Sequence, residues 1–91
     1  MTPLFLAECY LPGTSPGWLD AAGRAIDREG GAAVTRCVEA ILVPEDNVAF
    51  FLLEGPSLEA VRAVVSEAGV TVDRLAPSER ATLREGGGVT D

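Results

Sequence analysis

The chain contains no histidine and no lysine among its 91 residues. Without imidazole, Ser-His-Asp and Cys-His catalysis cannot be assembled within one chain. A metal would have to be held by carboxylates, thiolates, hydroxyls or backbone oxygens. Without lysine there is neither a Schiff-base amine nor a phosphate-loop cation. The glycine runs at 30–31 and 86–88 do not have phosphate-binding spacing. No apolar run is long enough to span a bilayer, and residues 1–13 lack a basic segment and carry Glu8 within their apolar stretch. Neither a membrane span nor a secretory signal is expected, and the expected location is cytoplasmic.

Positive charge is scarce. Seven basic residues face 14 acidic ones, for a net charge of −7. Such a chain repels phosphate backbones and anionic lipid surfaces, which argues against nucleic-acid and membrane partners. Apolar residues make up 47% of the chain, enough for a core and too many for a disordered segment. The length allows one domain, and a domain this small often gains stability by oligomerising.

The clearest local pattern covers residues 49–75. Residues 48–53 are β-branched and bulky apolar, as a buried strand requires. Gly55-Pro56 ends that run, Ser57 is placed to cap a helix, and Glu59 lies in its first turn, where the helix dipole favours an anion. Leu58, Val61, Val64, Val65 and Ala68 form an apolar stripe, Gly69 stops the helix, and Val70, Val72 and Leu75 suggest a last strand.

The first half repeats this plan more weakly. A strand over 4–11 is broken by Pro12-Gly13. Ser15-Pro16 starts a helix whose apolar side is Trp18, Leu19, Ala22, Ala25 and Ile26, with an Asp20–Arg24 pair facing solvent. Gly30-Gly31 ends it, a second strand covers 34–43, and residues 44–47 turn into the third. The order is β-α-β-β-α-β, a ferredoxin-like α+β fold with antiparallel sheet order 4-1-3-2. Residues 1–75 are expected to form the domain. Residues 76–91 form a C-terminal extension with a short helical turn and a Gly-rich flexible tail.

Period-2 alternation then assigns faces. Phe5, Ala7, Cys9, Val38, Ala40, Leu42, Ala49, Phe51 and Leu53 should face the helices. Leu6, Glu8, Tyr10, Cys37, Glu39, Ile41, Val48, Phe50, Leu52 and Glu54 should face away. Arg36 has core-face parity but sits at a strand start. The second set is too apolar to stay in water as one patch. A second copy covering it would give a dimeric α+β barrel whose two sheets enclose a cleft. The ligand-binding candidates in that cleft are Glu8, Tyr10, Glu39 and Cys37, with the Tyr10 hydroxyl able to donate to a ligand or to Glu8. Glu8 and Glu39, expected roughly 10 Å apart on strands separated by one, are the metal-ligand candidates. Glu54 should lie at the far end of the sheet from Glu8. Cys9 and Cys37 should be roughly 9–10 Å apart and on opposite faces, which excludes a disulfide.

Leu6-Ala7-Glu8, the run from Phe50 to Ser57, Glu59-Ala60-Val61-Arg62 and the run from Ala68 to Leu75 together resemble a family of small, mostly uncharacterised nickel-binding-protein-like proteins. The likeness covers residues 4–75 and is tighter in the second half. It implies a dimeric ferredoxin-like α+β barrel, and one member is associated with nickel. Glu8 and Glu54 match the family pattern. Phe51 stands where the family tends to have Cys, and Glu39 where it tends to have Arg. With no histidine, nickel binding is not carried over, and a divalent metal of another kind stays open.

Three functions are compatible with these residues. The first is a homodimeric small-ligand or metal-binding protein with its site in the inter-sheet cleft. The second is a cofactor-independent enzyme, of isomerase or monooxygenase type, using Glu8 as general acid or base. The third is a structural or assembly module whose cleft is packed shut.

Overall fold

A computed structural model describes residues 2–10, 15–32 and 34–80. Strand β1 (Leu4–Tyr10) is followed by helix α1 (Pro16–Gly30), strand β2 (Arg36–Val43), a 3-10 turn (Pro44–Asp46), strand β3 (Val48–Glu54), helix α2 (Leu58–Glu67) and strand β4 (Arg74–Ser78). The strands form one sheet in the order β2-β3-β1-β4, antiparallel throughout. This is the expected order 4-1-3-2 seen from the other edge. No helix among the described residues is long and apolar enough to cross a membrane.

Local chemistry sets the element ends. The Ser15 hydroxyl accepts from the Trp18 N–H at 3.2 Å, and Pro16 sits at the first helical position. The Ser57 hydroxyl accepts from the Ala60 N–H at 3.1 Å. Gly69, at φ +77, turns the chain left-handed just past α2. Asn47, at φ +51, closes the β2–β3 hairpin, and Val43 pairs with Val48 as the turn residues predict.

The helices cover one face of the sheet. Phe5, Ala7, Cys9, Ala49, Phe51 and Leu53 form a single cluster with Ala22 and Ile26 of α1 and Val61, Val64 and Val65 of α2. Trp18 sets its ring edge-on to Phe51, centroids 5.9 Å apart. The two layers approach closest at Thr35, which is buried. A β-carbon on Gly30 would collide with the Thr35 carbonyl, and one on Gly55 would collide with Val61 and press on the Thr35 hydroxyl. Only glycine fits at either point.

Three boundaries differ from the sequence expectation. Strand β2 begins at Arg36 rather than at 34, because Val34 adopts φ +51 in the preceding turn. Strand β4 begins at Arg74 and runs to Ser78, past the expected domain limit at 75. Val70 is buried and Val72 packs on the core, but both belong to the segment leading into β4. The expected tail at 86–88, most of the expected helical turn and the Pro12-Gly13 break lie outside the described residues.

A further difference is a β-bulge. Cys37 pairs with Leu53 and Glu39 with Leu52, so Val38 is an extra residue. Every position before the bulge therefore changes face. Arg36 moves to the open face, and Cys37 moves to the helix face, where it packs against the core.

Backbone geometry gives two stability predictions, both read by urea denaturation. Gly30→Ala and Gly55→Ala should each destabilise by about 1–3 kcal/mol, the usual cost of forcing atoms into a packed site. Val34→Gly should stabilise by up to about 1 kcal/mol, because a β-branched residue is strained at positive φ.

Candidate functional site

The open sheet face carries one polar cluster built on β1 and the start of β4. Glu8 pairs with Phe50 of β3 on one side and Arg74 of β4 on the other. The Tyr10 hydroxyl donates to Glu8 Oε1 at 2.7 Å. Arg74 places a terminal nitrogen 3.8 Å from Glu8 Oε2. The Glu8 side chain is only 18% exposed, against 69% for Arg74. Leu6, Phe50 and Ile41 share this face.

Asp73 fixes the cluster from below. Its backbone N–H donates to the Glu8 carbonyl at 2.8 Å, and its carboxylate Oδ2 accepts from the Tyr10 N–H at 2.7 Å. One residue thus ties β4 to β1 and holds the backbone of both Glu8 and Tyr10. The hydrogen bond to Glu8, aided by the negative charges of Glu8 and Asp73, raises the Tyr10 pKa above its usual value.

The structure brings Glu8 and Tyr10 together and leaves the other two candidates apart. Glu39 stands beside Leu52, whose other neighbour is Leu6, so it lies two residues along the sheet from Glu8 as well as two strands across. The separation is about 12 Å from strand spacing rather than about 10 Å. Glu39 is exposed, and among the described residues its carboxylate has no ion-pair or hydrogen-bond partner, although its carbonyl accepts from the Cys37 thiol at 3.6 Å. Cys37 is not on this face. The bulge turns it toward α1, where a β-carbon on Gly23 would lie 3.6 Å from its sulfur. The Asp27 carboxylate accepts from the Cys37 N–H at 2.6 Å and anchors the bulge. Burial, then the charge of Asp27, pushes the Cys37 thiol up to about 11. Burial, then Asp73, pushes Cys9 to about 11 as well. Neither thiol is a ready nucleophile or metal ligand at neutral pH.

The two cysteines are free and share the helix-side face. Their expected placement on opposite faces is overturned by the bulge. Cys9 lies in the row of Ala49 and Leu42, and Cys37 in the row of Leu53 and Phe5. They are thus about 17 Å apart from strand geometry, beyond any disulfide. Glu54 sits beside Leu4, at the far end from Glu8 as expected, and binds Arg36 Nε at 2.8 Å. Arg74 and Asp73 were not among the expected site residues. The signal for them was the antiparallel run of β4, which sets the charged residues at its start beside Glu8.

Among the described residues no group of three or more Cys, Asp or Glu side chains is close enough to hold a metal ion. The cluster's own chemistry is therefore that of a shielded carboxylate with one hydroxyl and one guanidinium beside it. It can accept a hydrogen bond from a ligand, pair with a cation, or move a proton.

No protein-family model matches the chain, and no curated protein matches it in sequence. Among solved structures, the crystal structure of SCO4226 from Streptomyces coelicolor A3(2) is similar. It superposes with a TM-score of 0.79 at 24% identity, over 87% of this chain and 99% of that one. Identity at that level speaks for the fold.

The chain's single tyrosine makes the central contact measurable. An ultraviolet absorbance titration should place Tyr10 ionisation above the usual value of about 10, and Glu8→Gln should bring it back down. Because the folded-state pKa is raised, the stability from this contact is fully present below pH 10 and is lost as pH rises through the folded value. A Tyr10 midpoint equal in wild type and variant would exclude the contact. Both cysteines should resist thiol reagents at pH 8 and react fully once the chain is unfolded.

Proposed function

We propose that two copies of this chain meet through their open sheet faces and bind a small polar ligand in the cleft between them, at Glu8, Tyr10 and Arg74. The observation that carries this reading is the Glu8 side chain. It is a carboxylate only 18% exposed in an isolated protomer, held at one oxygen by a hydroxyl and set among Leu6, Phe50 and Ile41. Four of the charges on that face are already paired, Arg36 with Glu54 and Arg74 with Glu8. Pairing lowers the cost of removing water from the face, as interface centres require. The resemblance of residues 4–75 to the nickel-binding-protein-like family favours the same assembly. A divalent metal in this cleft would need carboxylates from both copies, since one chain gathers too few among its described residues. In this reading the charge of −7 disfavours nucleic-acid partners, and the expected cytoplasmic setting rests on the lack of a secretory or membrane-spanning pattern.

The contact between Tyr10 and Glu8 favours one second reading, a cofactor-independent enzyme. A carboxylate and a phenol at 2.7 Å supply a base and an acid on neighbouring atoms. Turnover of a bound ligand separates it from simple binding.

Sedimentation equilibrium at about 10 µM should give a dimer for the wild type, and Ile41→Glu, which puts a charge at a half-exposed position of the face, should give a folded monomer. A monomeric wild type would overturn the reading. A ligand present at a hundred times its Kd stabilises the fold by about 2.7 kcal/mol, which raises the Tm of a domain this size by on the order of 10 °C. In a thermal-shift panel of metabolites and divalent metals, Glu8→Ala should abolish the shift of any ligand that the wild type binds in the cleft. Equal shifts in variant and wild type would place the site elsewhere.

A further inference from the structure

A second site lies between α2 and the chain leading into β4, adjoining the Glu8 cluster through Asp73 and Arg74. Helix α2 is short, and it contacts β4 far less than α1 contacts β2. Gly69 turns the chain sharply away from the helix end. The result is a groove of about 450 Å³ floored by Val65, Val70 and Leu75. That volume falls in the range of small-molecule sites. Arg62 and Ser66, one turn apart on α2, line one wall, and Thr71 lies on the facing segment.

Asp73 and Arg74 at the edge of this groove are bonded to Tyr10 and Glu8, while three other polar side chains are unengaged. Arg24, Arg36 and Arg74 each face a carboxylate within 4 Å. Arg62 has no ion pair or hydrogen bond among the described residues, and neither the Ser66 nor the Thr71 side chain has one. A guanidinium and two hydroxyls, all on exposed residues, therefore border an apolar floor without a partner among the described residues.

We propose that this groove binds a small monocarboxylate with a short apolar body. The carboxylate matches the two-pronged donor geometry of Arg62, with Ser66 and Thr71 as further donors. The apolar body covers Val65, Val70 and Leu75. Asp73 and Arg74 border the groove with opposite charges, and the whole chain carries −7, so a multiply charged anion such as a phosphate is disfavoured relative to a single carboxylate. Arg74 of the Glu8 cluster also borders the groove, but Arg62, Ser66 and Thr71 lie outside that cluster, and the groove forms within one protomer.

The test is a nitrogen–proton NMR titration of the full chain with hexanoate, hexanol and hexylamine at fixed pH and ionic strength. Hexanoate should move the amides of residues 62–75 saturably, while hexanol and hexylamine should bind at least several-fold more weakly. Arg62→Ala should weaken hexanoate about tenfold, the factor for one charge-assisted contact. Arg62→Gln, which keeps most of the stem, guards against a folding defect, and the wild-type comparison of hexanoate with hexanol needs no variant at all. Absence of saturable shifts, equal binding of hexanol, or unchanged affinity in both Arg62 variants would overturn the proposal. So would shifts centred on Glu8, Tyr10 and Ile41, which would instead point to the open-face cleft.

Discussion

Two helices can cover only one face of a four-stranded sheet, and that constraint organises the molecule. All the packing density is spent on one side, where Phe51, Leu53, Ile26 and Val61 are completely buried. Burying each such side chain contributes about 1.5–3 kcal/mol, so a handful of them outweighs the net stability of a typical domain. The serine caps set where each helix begins and thus which residues face the sheet. The two glycines around Thr35 let the end of α1 and the strand-to-helix turn close to contact distance. Nothing equivalent exists on the other face. Its side chains alternate with the core residues along the same strands, so they are held as rigidly as the core without being covered by it.

That rigidity is what makes the polar cluster at Glu8 specific. Glu8 and Tyr10 project from one strand two residues apart, and pleating sets them on one face. Asp73 then holds the backbone of both. The more exposed side chain of the ion pair is Arg74, which approaches Glu8 to 3.8 Å. An exposed pair at that distance contributes little to stability. The arginine is thus free to serve a ligand or a partner at small energetic cost, while the carboxylate and hydroxyl stay in place.

Where local chemistry decides, the sequence was readable. Ser15-Pro16 and Ser57 mark the helix starts, Gly69 marks a helix end, and the turn at 44–47 fixes the pairing of Val43 with Val48. Alternation then predicted the faces of β1 and β3 correctly through Phe5, Ala7, Cys9, Ala49, Phe51 and Leu53. The bulge at Val38 was not readable, because its causes are tertiary. Asp27, ten residues earlier in sequence than Cys37, holds the Cys37 N–H, and Gly23 leaves room on α1 for the thiol. A single extra residue was enough to move Cys37 out of the candidate site and to bring Arg36 to Glu54. Arg74 was missed for a related reason. Its place beside Glu8 follows from β4 starting at residue 74, and the apolar residues at 70 and 72 suggested an earlier start.

The similarity to the Streptomyces coelicolor structure concerns the scaffold, and a scaffold of this kind hosts unrelated functions. What separates one such protein from another is the set of positions that packing leaves over. In this chain the core parity of β1 and β3 is consumed by Phe5, Ala7, Cys9, Ala49, Phe51 and Leu53, and α2 gives Val61, Val64 and Val65 to the same cluster. The leftover positions carry the individuality: Glu8, Tyr10 and Arg74 on the open face, Arg62 and Ser66 on the outer face of α2. Without histidine or lysine, proton transfer near neutral pH falls to carboxylates, because burial has raised both thiols out of range and Tyr10 is held protonated by its neighbour. Of the carboxylates on the open face, Glu54 is committed to Arg36 and Glu39 stands in solvent. Among the carboxylates of that face, Glu8 alone combines low exposure, a hydroxyl donor and apolar neighbours.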